Sequence, residues 1–191
     1  MKKSTWIIIG VVAVIVLWAI SGYNGMVNQE ETVNTAWSQV ENQYQRRADL
    51  IPNLVNTVKG YAKHEENTLE GVINARAKAT SIQVDVNDAE SLAQYQKAQG
   101  ELSQALGRLM AVAEAYPDLK ANENFLQLQS QLEGTENRIA TERKRFNEVA
   151  KEYNVTIRKF PNNIIAGIFG FKTKAYFEAE EGAKSAPKVE F

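Results

Sequence analysis

The chain has 191 residues, with 22 basic and 23 acidic side chains and a formal net charge of −1, a balance unlike the Lys/Arg skew of a nucleic-acid-binding protein. Cysteine is absent and histidine occurs once, which excludes disulfide scaffolds, iron–sulfur clusters, cysteine nucleophiles and metal sites built on several imidazoles. Only 4 prolines and 11 glycines are available for turns, so long helices are favoured.

Lys2 and Lys3 open the chain and no further charge occurs before Glu30. From Trp6 to Ile20 the sequence is apolar except for Gly10. With its flanks this makes the roughly 20 residues that a helix needs to cross a hydrocarbon core. Trp6, Trp18 and Tyr23 lie near its ends, where amphipathic rings favour the headgroup level. Residues 1–23 are therefore expected to be a transmembrane anchor with a short N-terminal tail, represented by Trp6, Ile9, Val12, Leu17 and Trp18. By the positive-inside rule, Lys2 and Lys3 keep the N-terminus cytoplasmic and place the body outside. The rival is a cleaved signal peptide, with Ala19-Ile20-Ser21 as a small-x-small site. The length of the apolar stretch and the aromatics at both ends favour a retained anchor. Without cysteine, a lipoprotein is excluded.

Gly22-Tyr23-Asn24-Gly25 reads as a hinge or helix break above the span. Residues 24–160 are expected to form a helical bundle. Val33, Trp37, Val40, Tyr44, Ala48 and Ile51 recur at steps of four and three, the period of a helix. Pro52 is expected to kink or restart that helix, with Asp49 as the new cap. Val55, Val58, Ala62, Leu69, Val72 and Ile73 continue the seam towards Ala79 as one helix, weakened by Gly60 and Gly71. Residues 80–86 read as a loop, and Asn87-Asp88-Ala89-Glu90 as a capping box. Leu92, Tyr95, Leu102, Leu106, Leu109 and Ala113 make the next seam, which Tyr116-Pro117-Asp118 breaks. The last long helix carries Leu128, Leu132, Thr135, Ile139, Glu142, Phe146, Val149, Tyr153, Ile157 and Phe160. Running from about Asn122 to Lys159, it is roughly 55 Å long at 1.5 Å per residue. A helix of that length needs antiparallel company to bury its seam. The fold class is thus all-α: an N-terminal transmembrane helix followed by an elongated antiparallel bundle of four-helix type.

Residues 161–191 form an apolar segment and a charged tail, with Pro187 near its end. The run 164–171 is too short to span a bilayer. It either packs back across the bundle or presents Ile164, Ile165, Ile168, Phe169 and Phe171 to lipid or a neighbouring subunit.

No catalytic constellation emerges. His64-Glu65 begins a zincin motif, but Thr68 stands where the second histidine belongs. Gly170-Phe171-Lys172-Thr173 lacks the glycine spacing of a P-loop, and no G-x-S-x-G or G-x-G-x-x-G occurs. Asn154-Val155-Thr156 fits a glycosylation sequon inside a predicted helix, and reads as chance. Carboxylates are plentiful, yet their spacing singles out no pair. Two polar residues interrupt the seams: Arg47 near the first and Glu142 on the last. Either both snorkel to water from the flank, or they form a polar layer that fixes helix register.

Several strings together resemble the LemA family. They are Arg46-Arg47-Ala48-Asp49-Leu50-Ile51-Pro52-Asn53-Leu54-Val55, Val58-Lys59-Gly60-Tyr61 and His64-Glu65. They continue with Glu114-Ala115-Tyr116-Pro117-Asp118-Leu119-Lys120-Ala121-Asn122, Leu128-Gln129 and Gln131-Leu132-Glu133-Gly134-Thr135-Glu136-Asn137-Arg138-Ile139-Ala140. Tyr153-Asn154, Phe160-Pro161, Gly170-Phe171 and Tyr176-Phe177 follow in order, so the resemblance runs from about Tyr23 to Phe191. It implies a bacterial single-pass membrane protein with an antiparallel helical bundle and no established enzymatic activity or cofactor. It also implies membrane peptidases or TPM-domain proteins as neighbours, and a related member that takes part in building magnetosome membranes. The resemblance leaves the side of the membrane open, whereas the two N-terminal lysines place the bundle outside the cytoplasmic membrane.

The first functional expectation is a non-enzymatic scaffold that self-associates in the bilayer plane. An adaptor for a membrane peptidase or other envelope protein is the second. A carboxylate-dependent hydrolase is the third.

Overall fold

The computed structural model describes residues 3–62 and 64–178. The expectations for Lys2 and for the tail beyond residue 178 lie outside the described residues. Among the described residues six helices follow one another: α1 (Lys3–Tyr61), α2 (Glu66–Ser81), α3 (Ala89–Ala113), α4 (Pro117–Lys120), α5 (Glu123–Arg158) and α6 (Asn162–Phe169). No strand occurs among the described residues. Four long helices alternate in direction, with α1 against α5 and α2 against α3 as the main pairings.

α1 is a single helix of 59 residues, about 88 Å at 1.5 Å per residue. Its apolar start is bare: none of the most apolar stretch is covered by protein. Its continuation buries Met26, Val33, Trp37, Val40, Tyr44, Ala48 and Ile51 on the face that meets the bundle. The helix break expected as one alternative at Gly22-Tyr23-Asn24-Gly25 does not occur: α1 runs through these residues. A glycine costs a helix only about 1 kcal/mol, and packing beyond the span offsets that. Met26 is fully buried one residue after Gly25.

Pro52 also fails to restart the helix. It has no N–H, so the Ala48 carbonyl loses its partner four residues on. Arg76 Nε of α2 donates to that carbonyl at 2.7 Å. The defect thereby becomes a tie between helices. Asp49 caps nothing; its carboxylate accepts from Gln45 Nε2 at 2.8 Å.

The single helix expected across 55–79 is in fact two. α1 ends at Tyr61 and α2 starts at Glu66, with Glu65 N donating to Ala62 O at 3.2 Å in the turn. Ala62 and Leu69 lie seven residues apart, two helical turns, so the seam keeps phase across a reversal and hides it. His64 is exposed in this turn. At α3 the N-cap is Asp88, whose side chain accepts from Glu90 N at 3.0 Å, one residue later than the expected box at Asn87. The break at Tyr116-Pro117-Asp118 is present, with Pro117 opening α4. α5 is capped by Asn122, which accepts from Phe125 N at 3.0 Å.

Two cores stack along the rod. The far one joins Ile51, Leu54 and Val58 of α1 to Val72 of α2, Leu102 and Leu109 of α3, and Phe125 and Leu132 of α5. The one near the apolar span joins Met26, Val33, Trp37 and Tyr44 to Leu92 and Tyr95 of α3 and to Ile139, Phe146 and Tyr153 of α5. α2 does not reach this second core. Residues 171–178, an extended strap after α6, fill the place it leaves.

Candidate functional site

Side chains from four elements converge at the end of the bundle nearest the apolar span. The strap follows α1 in a simple register. Phe171 lies beside Tyr23 (ring centroids 5.7 Å), Lys174 Nζ meets Glu30 Oε1 at 2.8 Å, and Phe177 stacks on Trp37 at 5.9 Å. Three extended residues advance the chain by about 10 Å, and seven helical residues by about the same. Every third strap residue therefore meets every seventh residue of α1.

The opposite wall clamps the strap's main chain with side-chain amides. Asn154 accepts from Lys174 N and donates to Lys174 O, both at 2.8 Å. Asn147 does the same for Phe177, both at 2.9 Å. Gln96 of α3 repeats the pattern on Glu178 at 3.1 and 2.8 Å. A carboxamide presents one donor and one acceptor side by side, as a neighbouring strand would. Asn147 and Asn154 are one heptad apart on α5, so both face the strap. Ala175 N adds a bond to Val86 O of the α2–α3 loop at 2.8 Å.

Lys174 is buried, and its ammonium reaches Glu30 and Asn87 Oδ1 (2.9 Å) and lies 5.5 Å from the centre of the Tyr153 ring. Burial, with the Glu30 carboxylate nearby, pushes the Tyr153 phenol up to about 12, so it stays neutral. Asn87 is held in turn by Asp85 Oδ1, which accepts from Asn87 N and Nδ2 at 2.8 and 2.7 Å. Those hydrogen bonds hold the Asp85 carboxyl below its usual value. Phe177 closes the strap in an aromatic nest of Trp37 and Phe146, under the Arg143 guanidinium at 4.8 Å.

α6 sits on α1 at the end of the span. Ile165 and Ala166 are its buried residues. Gly22 has no side chain, and a Cβ there would lie 2.9 Å from Ile165 Cδ1, so the small residue makes room for the end of the Ile165 side chain, and a bulky one would collide with it. Tyr23 packs against Phe169 at 4.8 Å. Gly170, at φ 77°, ends α6 in the left-handed conformation and turns the chain into the strap. Of the five residues considered for lipid or subunit contact, Ile164, Ile168 and Phe169 are exposed, Phe171 is half-buried, and Ile165 faces inward. The anchor representatives Trp6, Ile9, Val12, Leu17 and Trp18 are all exposed along α1.

The polar layer lies elsewhere, at the junction of the two cores. Arg47 is 1% exposed. Its guanidinium donates to Glu136 Oε1 at 2.6 Å, to Ser103 Oγ at 2.7 Å and to the Gln99 side chain. Gln99 Nε2 extends the layer to the Ala79 carbonyl of α2 at 3.3 Å. The acidic partner is thus Glu136. Glu142 stands further along α5 on its half-buried flank, 4.0 Å from Arg145, and does not join Arg47. Beside this layer, a cleft of about 220 Å³ is walled by Tyr44, Tyr95, Glu41 and the end of α2. A shallower one of about 450 Å³ runs along Arg143, Asn147 and Lys151. No group of three His, Cys, Asp or Glu side chains able to hold a metal occurs among the described residues.

Sequence reasoning missed the clamps. Asn154 stands out in the sequence as a sequon and in the Tyr153-Asn154 string, neither of which points to a clamp; the structure places it buried against the strap. The available signal was the heptad pair Asn147 and Asn154 beside the seam residues Phe146 and Tyr153.

A family model for LemA matches residues 36–191. Among curated proteins, the chain is similar to magnetosome protein MamQ 2 of Paramagnetospirillum magneticum, with 31% identity over 186 residues, 87% of this chain and 68% of the relative. Magnetosome protein MamQ of Magnetospirillum gryphiswaldense is 30% identical over the same extent. Protein LemA of Metamycoplasma hominis is 25% identical over 158 residues, 83% of this chain and 69% of the relative.

Proposed function

The chain belongs to the LemA family, and we propose that it is a non-enzymatic, membrane-anchored post that self-associates as a scaffold in the plane of the bilayer. The observation that carries this reading is the continuity of α1, one helix from the apolar span into the bundle core. Such a helix transmits the orientation of the anchor to the whole rod. Confinement to a plane raises effective concentration, so weak side-by-side contacts between bundles can build an assembly. The Arg47 layer, where all four long helices meet, is the register mark of each post. The span keeps the N-terminus in the cytoplasm and the bundle outside, on the charge of Lys2 and Lys3. The similarity to magnetosome proteins supports a place at a membrane.

Extraction in mild detergent followed by native mass measurement tests the reading. A ladder of homo-oligomers is expected. A strict monomer at every concentration contradicts self-association. One stoichiometric foreign partner transfers the proposal to an adaptor.

A further inference from the structure

We propose that α6 is a second membrane contact, a short in-plane helix seated at the headgroup–acyl boundary of an anionic bilayer. The proposal rests on the reading of α1 as an anchor. Position comes first: α6 docks on Gly22 and Tyr23, where the apolar span ends. Its outer face then continues the greasy surface of the span. Ile164 is 51% exposed and Ile168 73%, and Phe160 just before the helix is 81% exposed, while Phe169, packed on Tyr23, still leaves 60% of its surface open at the helix end. Ile164 and Ile168 are one helical turn apart on the side away from the buried Ile165 and Ala166.

Charge points the same way. Arg158, Lys159 and Lys172 flank α6 and are exposed, and no acidic residue occurs between Glu152 and Glu178. An apolar face bordered by cations is the pattern of a helix lying in a membrane surface, with cations on lipid phosphates. A second copy fits less well. Eight residues make a helix about 12 Å long, and a stable protein interface needs about 800 Å² from each partner. With two contacts, span and α6, the post is fixed in tilt and in rotation about its axis.

The chain has no cysteine, so single spin labels can be placed cleanly. Full-length protein carrying Ile164→Cys or Ile168→Cys is reconstituted in vesicles of phosphatidylcholine and phosphatidylglycerol. Collision rates with oxygen and with an aqueous nickel chelate report depth. Val12→Cys marks the span and Glu70→Cys marks water. Labels at 164 and 168 should favour oxygen severalfold over the Glu70 label, at a depth shallower than Val12. Omitting phosphatidylglycerol should move both towards water; an unchanged depth removes the assigned role of Arg158, Lys159 and Lys172. Nickel access equal to that at Glu70, with Val12 still in lipid, overturns the proposal alone. Protection from both reagents, with spin–spin broadening that vanishes on dilution with unlabelled chain, overturns it in favour of a second copy. Nickel access at Val12 overturns the anchor itself, and α6 with it.

Discussion

Replacing Arg76 with methionine removes the donor that reaches the Ala48 carbonyl at 2.7 Å. Ala48 is 2% exposed, so water cannot readily take over, and Pro52 supplies no N–H. A buried carbonyl left without a partner costs about 1–3 kcal/mol. For a chain of this size each kcal/mol lowers Tm by about 2–4 °C. Pro52→Ala restores the N–H four residues on from Ala48. In that background Arg76→Met leaves the carbonyl satisfied, and the loss should fall to about 0.5 kcal/mol or less. The four proteins of the cycle (parent, two single variants and the double) are compared as full-length chains in mild detergent. Urea unfolding is followed by far-ultraviolet circular dichroism. A coupling of about 1–2 kcal/mol is expected. Equal losses in both backgrounds would refute the idea that Arg76 repairs the proline defect.

Gly22→Ala should be tolerated, since only the end of the Ile165 side chain needs to move. Gly22→Leu should cost about 1–3 kcal/mol through overpacking, and should free a spin label at Ile164→Cys; an immobile label refutes the close approach. Asn154→Leu deprives Lys174 N and O of their clamp. Amide exchange of the strap should then accelerate by about fivefold to a hundredfold, for a loss of about 1–3 kcal/mol; unchanged protection in mass-spectrometric exchange contradicts the clamp. Asp85 titrates below its usual value of 3.8 in the folded chain. Its contribution is therefore present above that value and is lost as pH falls through the lower folded value. Strap exchange should rise in that acid window and lose that response in Asp85→Asn; the same acid response in both proteins refutes the link through Asn87.

The seams of α1, α3 and α5 were legible because apolar residues at steps of three and four have one economical use, burial on one face of a helix. Reversals were harder to see. The turn after Tyr61 leaves the seam in phase from Ala62 to Leu69, so periodicity alone cannot register it. Gly22 and Pro52 look like breaks in the sequence because local propensity weighs against both in a helix. Tertiary contacts answer each: Ile165 occupies the space at Gly22, and Arg76 takes the carbonyl that Pro52 leaves. Arg47 could be seen to interrupt an apolar seam, but its partner could not. Glu136 and Glu142 lie on the same helix, and only the position where Arg47 crosses α5 decides between them. The strap was invisible for a different reason: its main chain is held by Asn147, Asn154 and Gln96, and side-chain amides carry no hydrophobic period.

On this reading the post and its lipid anchor move as one rigid body. Spin labels at Val12→Cys and Glu31→Cys flank the Gly22–Gly25 region on exposed positions of α1. The helix separates these sites by about 28 Å at 1.5 Å per residue. In lipid nanodiscs, with labelled chain diluted in unlabelled chain, double electron–electron resonance should give one narrow distance distribution near that value. A broad distribution, or one centred well short of it, would show a hinge at the membrane surface and a post that moves independently of its anchor.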